Sequence, residues 1–560
     1  MARFPALHAV FVRLFGAIGG GWLLVTALLA GLFLLPVLTL FGYAAQGSGT
    51  LWVHLAEYVL PQALRDSVVL LIGVGSLVIV IGAGTAWLVT AYDFPGRRWL
   101  DWALLLPLAV PTYIVAFVYL DLWHPIGILQ STLRELLGYD SPRDLRLPDI
   151  RSMGGCILLL GLVLYPYVYL PTRAIFLMQA AGLIEASRTL GAGPWRTFLR
   201  IALPLARPAI ALGASLALME ALNDIGAAEF LGVRTLTVSV YSTWVNRSSL
   251  PGAAQIALFM LAIVVSLIAL ERWARRNQRF AATGRQIARL LPQRIGGATG
   301  WLVCAAVCLP VLLGFVLPAA YLVVESAKRL QFAGLEASIL REALNTVSIS
   351  ALATVLASAI AFFLAYTLRL ANAPGSRLLV RCASLGYAIP GTVLAIGLLA
   401  PLAWFDNTLD RVVGHWFGIS TGLLLSGSGA ALVYAYVARF LAIGMGSMEA
   451  GFSKIPHSLD DAARSLGASA GAVARRVHLP LGKPAIAAAM LLVFVDCMKE
   501  LPATLLLRPL NFETLATHLY GEAARGSYES GAIAALLIVL VGLPPIVFLS
   551  RLGRQAGARP

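Results

Sequence analysis

The sequence predicts an all-α polytopic membrane protein with about twelve transmembrane helices arranged as two parallel repeats. Three observations predict this class: an apolar composition, long apolar runs along the whole chain, and a second half that repeats the first. Of the 560 residues, 59% are hydrophobic and only 12% are charged. A soluble domain carries about 25% charged residues, so this chain has about half of that share. The mean hydropathy of +0.83 agrees.

The apolar runs are the expected membrane spans, because a helix of about 20 residues crosses the hydrocarbon core. In the first half they lie near 18–42, 66–91, 100–121, 155–179, 207–222 and 254–271. In the second half they lie near 301–324, 343–368, 380–403, 421–447, 485–498 and 531–550. Twelve such spans would put both termini on the same side of the membrane.

The charges between these runs predict the orientation. Lys and Arg number 42 against 27 Asp and Glu, a net charge of +15. Arginines concentrate in alternate loops and in the middle segment, ERWARRNQRFAATGRQIARLLPQR, which holds seven. Cytoplasmic loops carry such an excess, so we expect both termini, the middle segment and both copies of the basic segment described below in the cytoplasm. The positive charge then reflects topology and contact with lipid headgroups, and no nucleic acid is expected as a partner.

The two halves match at a nearly constant separation. Pro95-Gly96 recurs as Pro374-Gly375 and Pro111 as Pro390, each 279 residues later, as do Thr235 and Tyr241, which recur as Thr514 and Tyr520. Because both copies face the same side, the repeat axis runs along the membrane normal. The expected organisation is an N-terminal segment with the first helix (1–62), a transport domain (63–271), a basic linker (272–300), a further helix and loop (301–340), a second transport domain (341–550) and a tail (551–560).

One short basic segment interrupts the apolar chain twice. EASRTLGAGPWRTFLRIALPLARPAI (185–210) and DAARSLGASAGAVARRVHLPLGKPAI (461–486) are identical at 12 of 26 positions. We expect a helix that stops at Gly191 or Gly467, followed by a helix capped by Gly193 or Ser469. In the first copy Leu203-Pro204 should end this helix, and Pro208 should start the next span.

These segments resemble the hallmark motif of the permease subunits of binding-protein-dependent type I ABC importers. The motif is Glu-Ala-Ala, a Gly six residues after the Glu, and then Ile-x-Leu-Pro; Ser187, Asp461 and Val477 depart from it mildly. In that family the segment is a coupling helix that docks on an ATPase subunit. The resemblance implies that the following residues couple this chain to its ATPases: Glu185, Ala186, Gly191, Leu203, Pro204, Asp461, Ala462, Gly467, Leu479 and Pro480.

The same resemblance implies the partners. They are two copies of an ATPase subunit, which use ATP and Mg, a periplasmic substrate-binding protein and the lipid bilayer. The chain itself would be no enzyme and would bind no cofactor. The sequence agrees, since it lacks a G-x-x-x-x-G-K-[ST] phosphate loop. His457 and His478 form no metal pair and are expected at the surface.

The substrate is indicated by two further stretches, LMEALNDIGAAEFLGVRTLTVSVYSTW (218–244) and FVDCMKELPATLLLRPLNFETLATHLY (494–520). They resemble the fused permeases of ferric-iron importers, above all in the run Lys499 to Thr504. Fused thiamine permeases are the alternative, followed by polyamine permeases. An ion-driven secondary transporter would also suit twelve spans, and a polytopic membrane enzyme would need clustered catalytic groups at membrane depth.

Acidic residues recur near the outer end of one span in each half. Glu220 and Asp496 are repeat counterparts, and Asp224 and Glu500 follow one helical turn later. Carboxylates at membrane depth usually face a partner or a water-filled path, so we predict that these four, together with Lys499, line the substrate pathway. The alternative is structural: Lys499 would neutralise Asp496, and the carboxylates would make helix-end contacts.

Overall fold

The structure is a computed structural model that describes residues 20–178, 181–275, 292–370 and 373–558. Helices account for nearly all of its regular structure in these ranges. The two strands, β1 (Tyr92–Asp93) and β2 (Gln293–Arg294), form one short parallel pair, with Tyr92 opposite Gln293.

The first half of the chain contains fourteen α-helices within the described ranges. They are α1 (Gly20–Gln46), α2 (Thr50–His54), α3 (Leu60–Ala91), α4 (Arg97–Ala103), α5 (Thr112–Leu122), α6 (Ile128–Leu137), α7 (Met153–Leu164), α8 (Pro166–Met178), α9 (Ala181–Thr189), α10 (Pro194–Thr197), α11 (Leu203–Asn223), α12 (Gly226–Phe230), α13 (Leu236–Val245) and α14 (Leu250–Arg275). Single π-helical turns at Leu55–Val59 and Phe198–Ala202 join α2 to α3 and α10 to α11.

The second half, as far as it is described, contains thirteen. They are α15 (Gly297–Val311), α16 (Leu317–Ala333), α17 (Ala337–Leu370), α18 (Pro374–Ala383), α19 (Gly391–Phe417), α20 (Ala430–Phe452), α21 (His457–Ser465), α22 (Ala470–Val473), α23 (Leu479–Leu481), α24 (Lys483–Met498), α25 (Pro502–Leu507), α26 (Leu515–Arg525) and α27 (Tyr528–Ala558). Two further π-helical turns, Leu312–Val316 and Ala474–His478, lie before α16 and α23.

Length and composition make nine of the helical stretches in the described ranges long and apolar enough to cross a membrane. Three further stretches qualify as bent helix pairs, which brings the total to as many as twelve. The predicted class, an all-α membrane protein with about twelve spans in two repeats, is therefore confirmed.

Two prolines bend the chain at equivalent places. Pro111 precedes α5 with φ −57° and ψ 145°, and Pro390 precedes α19 with φ −57° and ψ 143°. In the first half this produces a 91° bend between the helical pieces Arg97–Ala109 and Thr112–Leu122. The expected continuous spans at 100–121 and 380–403 are both wrong for this reason. Extended backbone at Pro111 and Pro390 ends one helical stretch, and new helices begin at Thr112 and Gly391.

The chain divides into two compact units that each combine parts of both halves. The first unit comprises Met1–Ser48, Thr243–Leu258 and Ala337–Thr517, and the second comprises Gly49–Ser242, Phe259–Glu336 and His518–Pro560. The expected domains 63–271 and 341–550 thus follow the repeat in sequence, whereas the contacts group the chain differently. The expected linker 272–300 lies largely outside the described residues, as does the beginning of the segment 1–62.

In the first unit, α1 packs against helices of the second half. Trp22 stacks on Phe363 of α17 with ring centroids 4.7 Å apart. Tyr434 of α20 donates a hydrogen bond to the carbonyl of Leu32 at 2.5 Å, and Thr39 donates to the carbonyl of Gly397 in α19. The first span therefore belongs with the second transport repeat.

In the second unit, the first helices of the second half pack against the first repeat. The Tyr321 hydroxyl of α16 donates to Oδ2 of Asp121 at 2.6 Å, and the Tyr119 hydroxyl donates to the carbonyl of Leu313 at 2.8 Å. Helix α1 precedes the first repeat in sequence but packs on the second, and α16 precedes the second repeat but packs on the first. The apolar runs in the sequence did not reveal this exchange.

Candidate functional site

The two predicted coupling segments fold in the same way around their glycines. In the first copy the turn after α9 contains Gly191 with φ 79°, and the amide of Ala192 donates to the carbonyl of Ser187 at 3.0 Å. In the second copy Gly467 has φ 81°, and the amide of Ala468 donates to the carbonyl of Ala463 at the same distance. This left-handed termination favours glycine, as the sequence predicted.

The second helix of each copy starts with the predicted cap. Gly193 precedes α10 in extended conformation and is followed by Pro194 at the first helical position. In the second copy the Ser469 hydroxyl accepts a hydrogen bond from the amide of Ala472 at 3.3 Å. The two caps are confirmed, and at this position the two copies differ in how the first amides of the helix are satisfied.

The turn of each copy exposes an apolar side chain. Leu190 is 87% exposed and its repeat counterpart Leu466 is 88% exposed. Ala186 and Ala462 are also exposed, while Glu185 is half-buried and Asp461 exposed. Each copy therefore offers a leucine, an alanine and an acidic residue on one rigid helix–turn–helix.

The expected helix end at Leu203-Pro204 is wrong. Helix continues from Pro194 to Asn223 as one candidate span, and Pro208 lies inside it. The π-helical turn Phe198–Ala202 directly precedes Pro204, and its wider hydrogen-bond spacing accommodates a residue that has no amide hydrogen. In the second copy the chain does bend, by 77°, between α23, which contains Leu479 and Pro480, and α24.

A buried ionic cluster attaches the second coupling segment to its own helices. Each carboxylate oxygen of Asp460 in α21 has a partner. Oδ2 accepts a hydrogen bond from Arg369 Nε at 2.7 Å, and Oδ1 lies 2.6 Å from His478 Nε2. Arg369 also donates to the carbonyls of Phe452 and Ile455 at 2.7 and 2.8 Å. These bonds join the end of α17, the end of α20 and both helices of the coupling segment.

His478 is fully buried, so its expected surface position is wrong; His457, in contrast, is exposed. Tyr366 and Phe452 pack against the His478 ring with centroids 5.1 and 5.2 Å away. Sequence reasoning also missed Asp460. The available signal was an Arg, Arg369, at the end of an otherwise apolar run.

The first coupling segment is attached by different contacts. At the positions of Arg369, Asp460 and His478 the first repeat has Thr90, Ile184 and Ala202. Here Trp87 packs against Phe176 and Phe198 with centroids 5.6 and 5.4 Å apart. The Ser187 and Thr197 hydroxyls also hydrogen-bond at 3.1 Å, where the second copy has Ala463 and Val473.

Two of the four predicted pathway carboxylates cap short helices. Asp224 Oδ1 accepts from the amide of Ala227 at 2.6 Å, at the start of α12. Its counterpart Glu500 accepts through Oε1 from the amide of Ala503 at 3.1 Å, at the start of α25. Both side chains are buried, so each carboxylate satisfies an otherwise unpaired amide of a helix N-terminus.

The remaining partners of these two carboxylates differ between the halves. Thr112 donates its hydroxyl to Asp224 Oδ2. Gly391 occupies the position of Thr112 in the second repeat, and Arg439 donates to Glu500 Oε1 at 3.2 Å. A Cβ on Gly391 would lie 2.1 Å from Arg439 Nη1. The glycine therefore leaves the space that the buried arginine occupies.

The other predicted pathway residues are more accessible. Glu220 is half-buried near the end of α11. Asp496 pairs with Lys499 at 2.7 Å, and about a quarter of each side chain remains exposed. Lys499 therefore compensates the charge of Asp496, as the structural alternative predicts. The Asp496 carboxylate is nevertheless partly exposed and accessible to solvent.

Two repeats of apolar helices, each with a rigid exposed helix–turn–helix, define a membrane transport subunit built as a fused pair of equivalent domains. The chain belongs to the family described as binding-protein-dependent transport system inner membrane component. That family matches it twice, at residues 78–280 and 353–555. It is thus an ABC transporter permease, and its family assembles with a binding protein and an ATPase.

Individual relatives differ in the substrates their names record. The Fe(3+)-transport system permease protein FbpB 2 of Haemophilus influenzae is 24% identical over 95% of this chain and 98% of its own length. The molybdenum transport system permease protein ModB of Escherichia coli is 28% identical over 38% of this chain and 94% of its own. A Salmonella choleraesuis permease named for 2-aminoethylphosphonate transport is 27% identical over 45% of this chain and 91% of its own.

Proposed function

We propose that this chain forms the translocation pathway of an ATP-driven importer for ferric iron. A periplasmic binding protein delivers the iron, and the two coupling segments dock on two copies of an ATPase subunit, which consume ATP and Mg. The chain crosses the bacterial inner membrane with both termini in the cytoplasm.

The observation that carries the transport role is the matching exposed turn of the two coupling segments. Their turns have φ 79° and 81° and expose Leu190 and Leu466 to nearly the same extent. Two equal surfaces on one chain suit two equal partners. Each surface is also tied directly to a helix that belongs to a candidate membrane span, so movement of a docked subunit would move that span.

The length of the matched region supports the iron assignment. The similarity to the H. influenzae Fe(3+) permease extends over both repeats, whereas the molybdenum permease covers 38% of this chain. Acidic side chains in both repeats also suit a cation better than an oxyanion such as molybdate. Thiamine and polyamines remain the alternative cargoes, since both are organic cations.

The test is reconstitution of the chain with its ATPase in lipid nanodiscs. Binding protein loaded with ferric iron should stimulate ATP hydrolysis, and iron-free binding protein should not. Molybdate, thiamine and spermidine, each supplied with the same binding protein, serve as comparison ligands. Stimulation by one of these and none by ferric iron would overturn the iron assignment but leave the importer role intact.

A further inference from the structure

Two tyrosines and one glutamate come together in the second unit. They are Tyr241 of α13, Tyr520 of α26 and Glu229 of α12. The Tyr520 hydroxyl donates a hydrogen bond to Glu229 Oε2, and it also interacts with the Tyr241 hydroxyl. The two tyrosine rings lie 6.5 Å apart at 79°. Three oxygen atoms of acidic groups thus meet at one place.

The cluster is held in place from one side. Phe230 is buried and stacks on the Tyr520 ring at 5.6 Å with an interplanar angle of 27°. Glu229 itself is exposed, and both tyrosines are half-buried. The oxygen atoms are therefore positioned by packing while the cluster stays open to solvent.

The two tyrosines are counterparts in the repeat. They lie 279 residues apart, the separation that also relates Thr235 to Thr514 and Pro111 to Pro390. A residue can contact its own counterpart only close to the axis that relates the repeats. In transporters built from repeats, substrate passes through the interface between the repeats. The position of the tyrosine pair is thus one that a transported ion would visit.

The cluster also lies on the side of the membrane from which iron would enter the permease. α11 starts at the first coupling segment and runs through one candidate span to Asn223, and Glu229 follows six residues later. Since the coupling segment faces the cytoplasm in the proposed function, the cluster lies at the periplasmic end.

We propose that Tyr241, Tyr520 and Glu229 form a ferric-ion site at which iron first binds this permease after it leaves the binding protein. This inference rests on the proposed function. Phenolate and carboxylate are hard oxygen ligands, which suit a hard cation. Binding displaces the phenol protons, and the three resulting negative charges match the charge of Fe³⁺. The same charges repel an oxyanion, so the site would also select against molybdate.

The experiment uses the full chain in nanodiscs and ferric nitrilotriacetate as the probe. The variants are Tyr241→Phe, Tyr520→Phe and Glu229→Gln. Tyr139→Phe is the control, because Tyr139 is a solvent-exposed tyrosine just beyond α6 and outside the cluster. Tyrosinate bound to Fe³⁺ absorbs visible light by charge transfer, a readout that does not depend on transport. Uptake of radioactive iron is then measured with the complete complex.

We expect the wild-type chain and Tyr139→Phe to develop the visible band. Each site variant should lower iron affinity by at least about tenfold, and the double tyrosine variant should abolish the band and slow uptake at low iron concentration. Tyr139→Phe, which lies outside the site, should keep wild-type iron uptake and wild-type ATP hydrolysis.

Two failures are distinguishable. If the wild-type complex takes up iron but shows no band, or the variants bind iron and transport it normally, the site is overturned and the proposed function stands. If the wild-type complex takes up no iron at all, the proposed function is overturned, and the role of the site falls with it.

Discussion

His478 Nε2 lies 2.6 Å from Asp460 Oδ1 in the second coupling segment, and both side chains are buried. Asp460 lies in α21, and His478 ends the π-helical turn that follows α22. The contact therefore closes the helix–turn–helix on itself, while Arg369 fastens it to α17 through the other carboxylate oxygen. These buried contacts join the segment directly to α17.

Replacing Arg369 by Met should loosen this attachment. It leaves the buried Asp460 carboxylate with His478 and the more distant His457 as neighbours. Breaking a buried ion pair costs about 3–5 kcal/mol. We expect a lower temperature of thermal unfolding of the purified protein and weaker stimulation of ATP hydrolysis by the loaded binding protein. Arg475→Met, which alters an exposed arginine of the same segment, is the control and should change the unfolding temperature little. Equal stability of both variants would contradict the attachment role.

The same cluster predicts a pH dependence. Burial acts to raise the pKa of Asp460, but the hydrogen bonds from Arg369 and His478 outweigh it and hold the pKa below its ordinary value. Because the folded pKa is lower than the unfolded one, the carboxylate stabilises the fold above the unfolded value of about 3.9. This contribution is lost as the pH falls through the lowered folded pKa.

The wild-type protein should therefore exceed Asp460→Asn in unfolding temperature by a constant margin near neutral pH. The margin should shrink below about pH 4. A series of thermal unfolding curves over this pH range measures it. A margin that grew on acidification would show that the sign of the pKa shift is wrong.

Valine at Gly191 or Gly467 should uncouple ATP hydrolysis from transport. Nothing lies within 4 Å of a Cβ at either position, so the effect would come from the backbone, whose φ is near +80°. Such a conformation costs an L-residue about 1–2 kcal/mol, and the turn would relax into another shape.

The matched control is Gly193→Ala in the first segment. Gly193 also has open space around its Cβ position, but its φ is −65°, which alanine adopts without strain. We expect normal insertion in all three variants, with binding-protein-stimulated hydrolysis and uptake lost in the two valine variants only. Wild-type uptake in both valine variants would end the docking interpretation.

The pathway hypothesis now depends on Glu220 and Asp496, because Asp224 and Glu500 have helix-capping partners. Glu220→Gln and Asp496→Asn keep the side-chain size and remove the charge. We predict that the double variant transports iron at least about tenfold more slowly while the loaded binding protein still stimulates hydrolysis. Uptake at the wild-type rate in the double variant would refute a conduction role. Asp224→Ala should instead lower stability, since it removes a buried cap worth about 1 kcal/mol.

Local features of the fold could be predicted from the sequence and distant ones could not. The turns at Gly191 and Gly467 and the caps at Gly193 and Ser469 depend on residues within a few positions of each other. Pro204, in contrast, looked like a helix end, because nothing in the sequence announces the π-helical turn before it. Asp460 and Arg369 are 91 residues apart, so their pairing is a product of packing. The role of Gly391 likewise depends on Arg439, a residue of a different helix.

Covalent fusion of the two repeats has an evolutionary consequence. In a homodimeric permease, any substitution appears in both subunits at once, so Arg369 could not be introduced at one anchor without altering the other. Here the first coupling segment is attached by packing on Trp87, and the second is attached by an ionic cluster. Either attachment can acquire substitutions while the other preserves assembly with an ATPase subunit. In a fused chain, one coupling segment can therefore become specialised for a given step of the transport cycle, which is not possible with identical subunits.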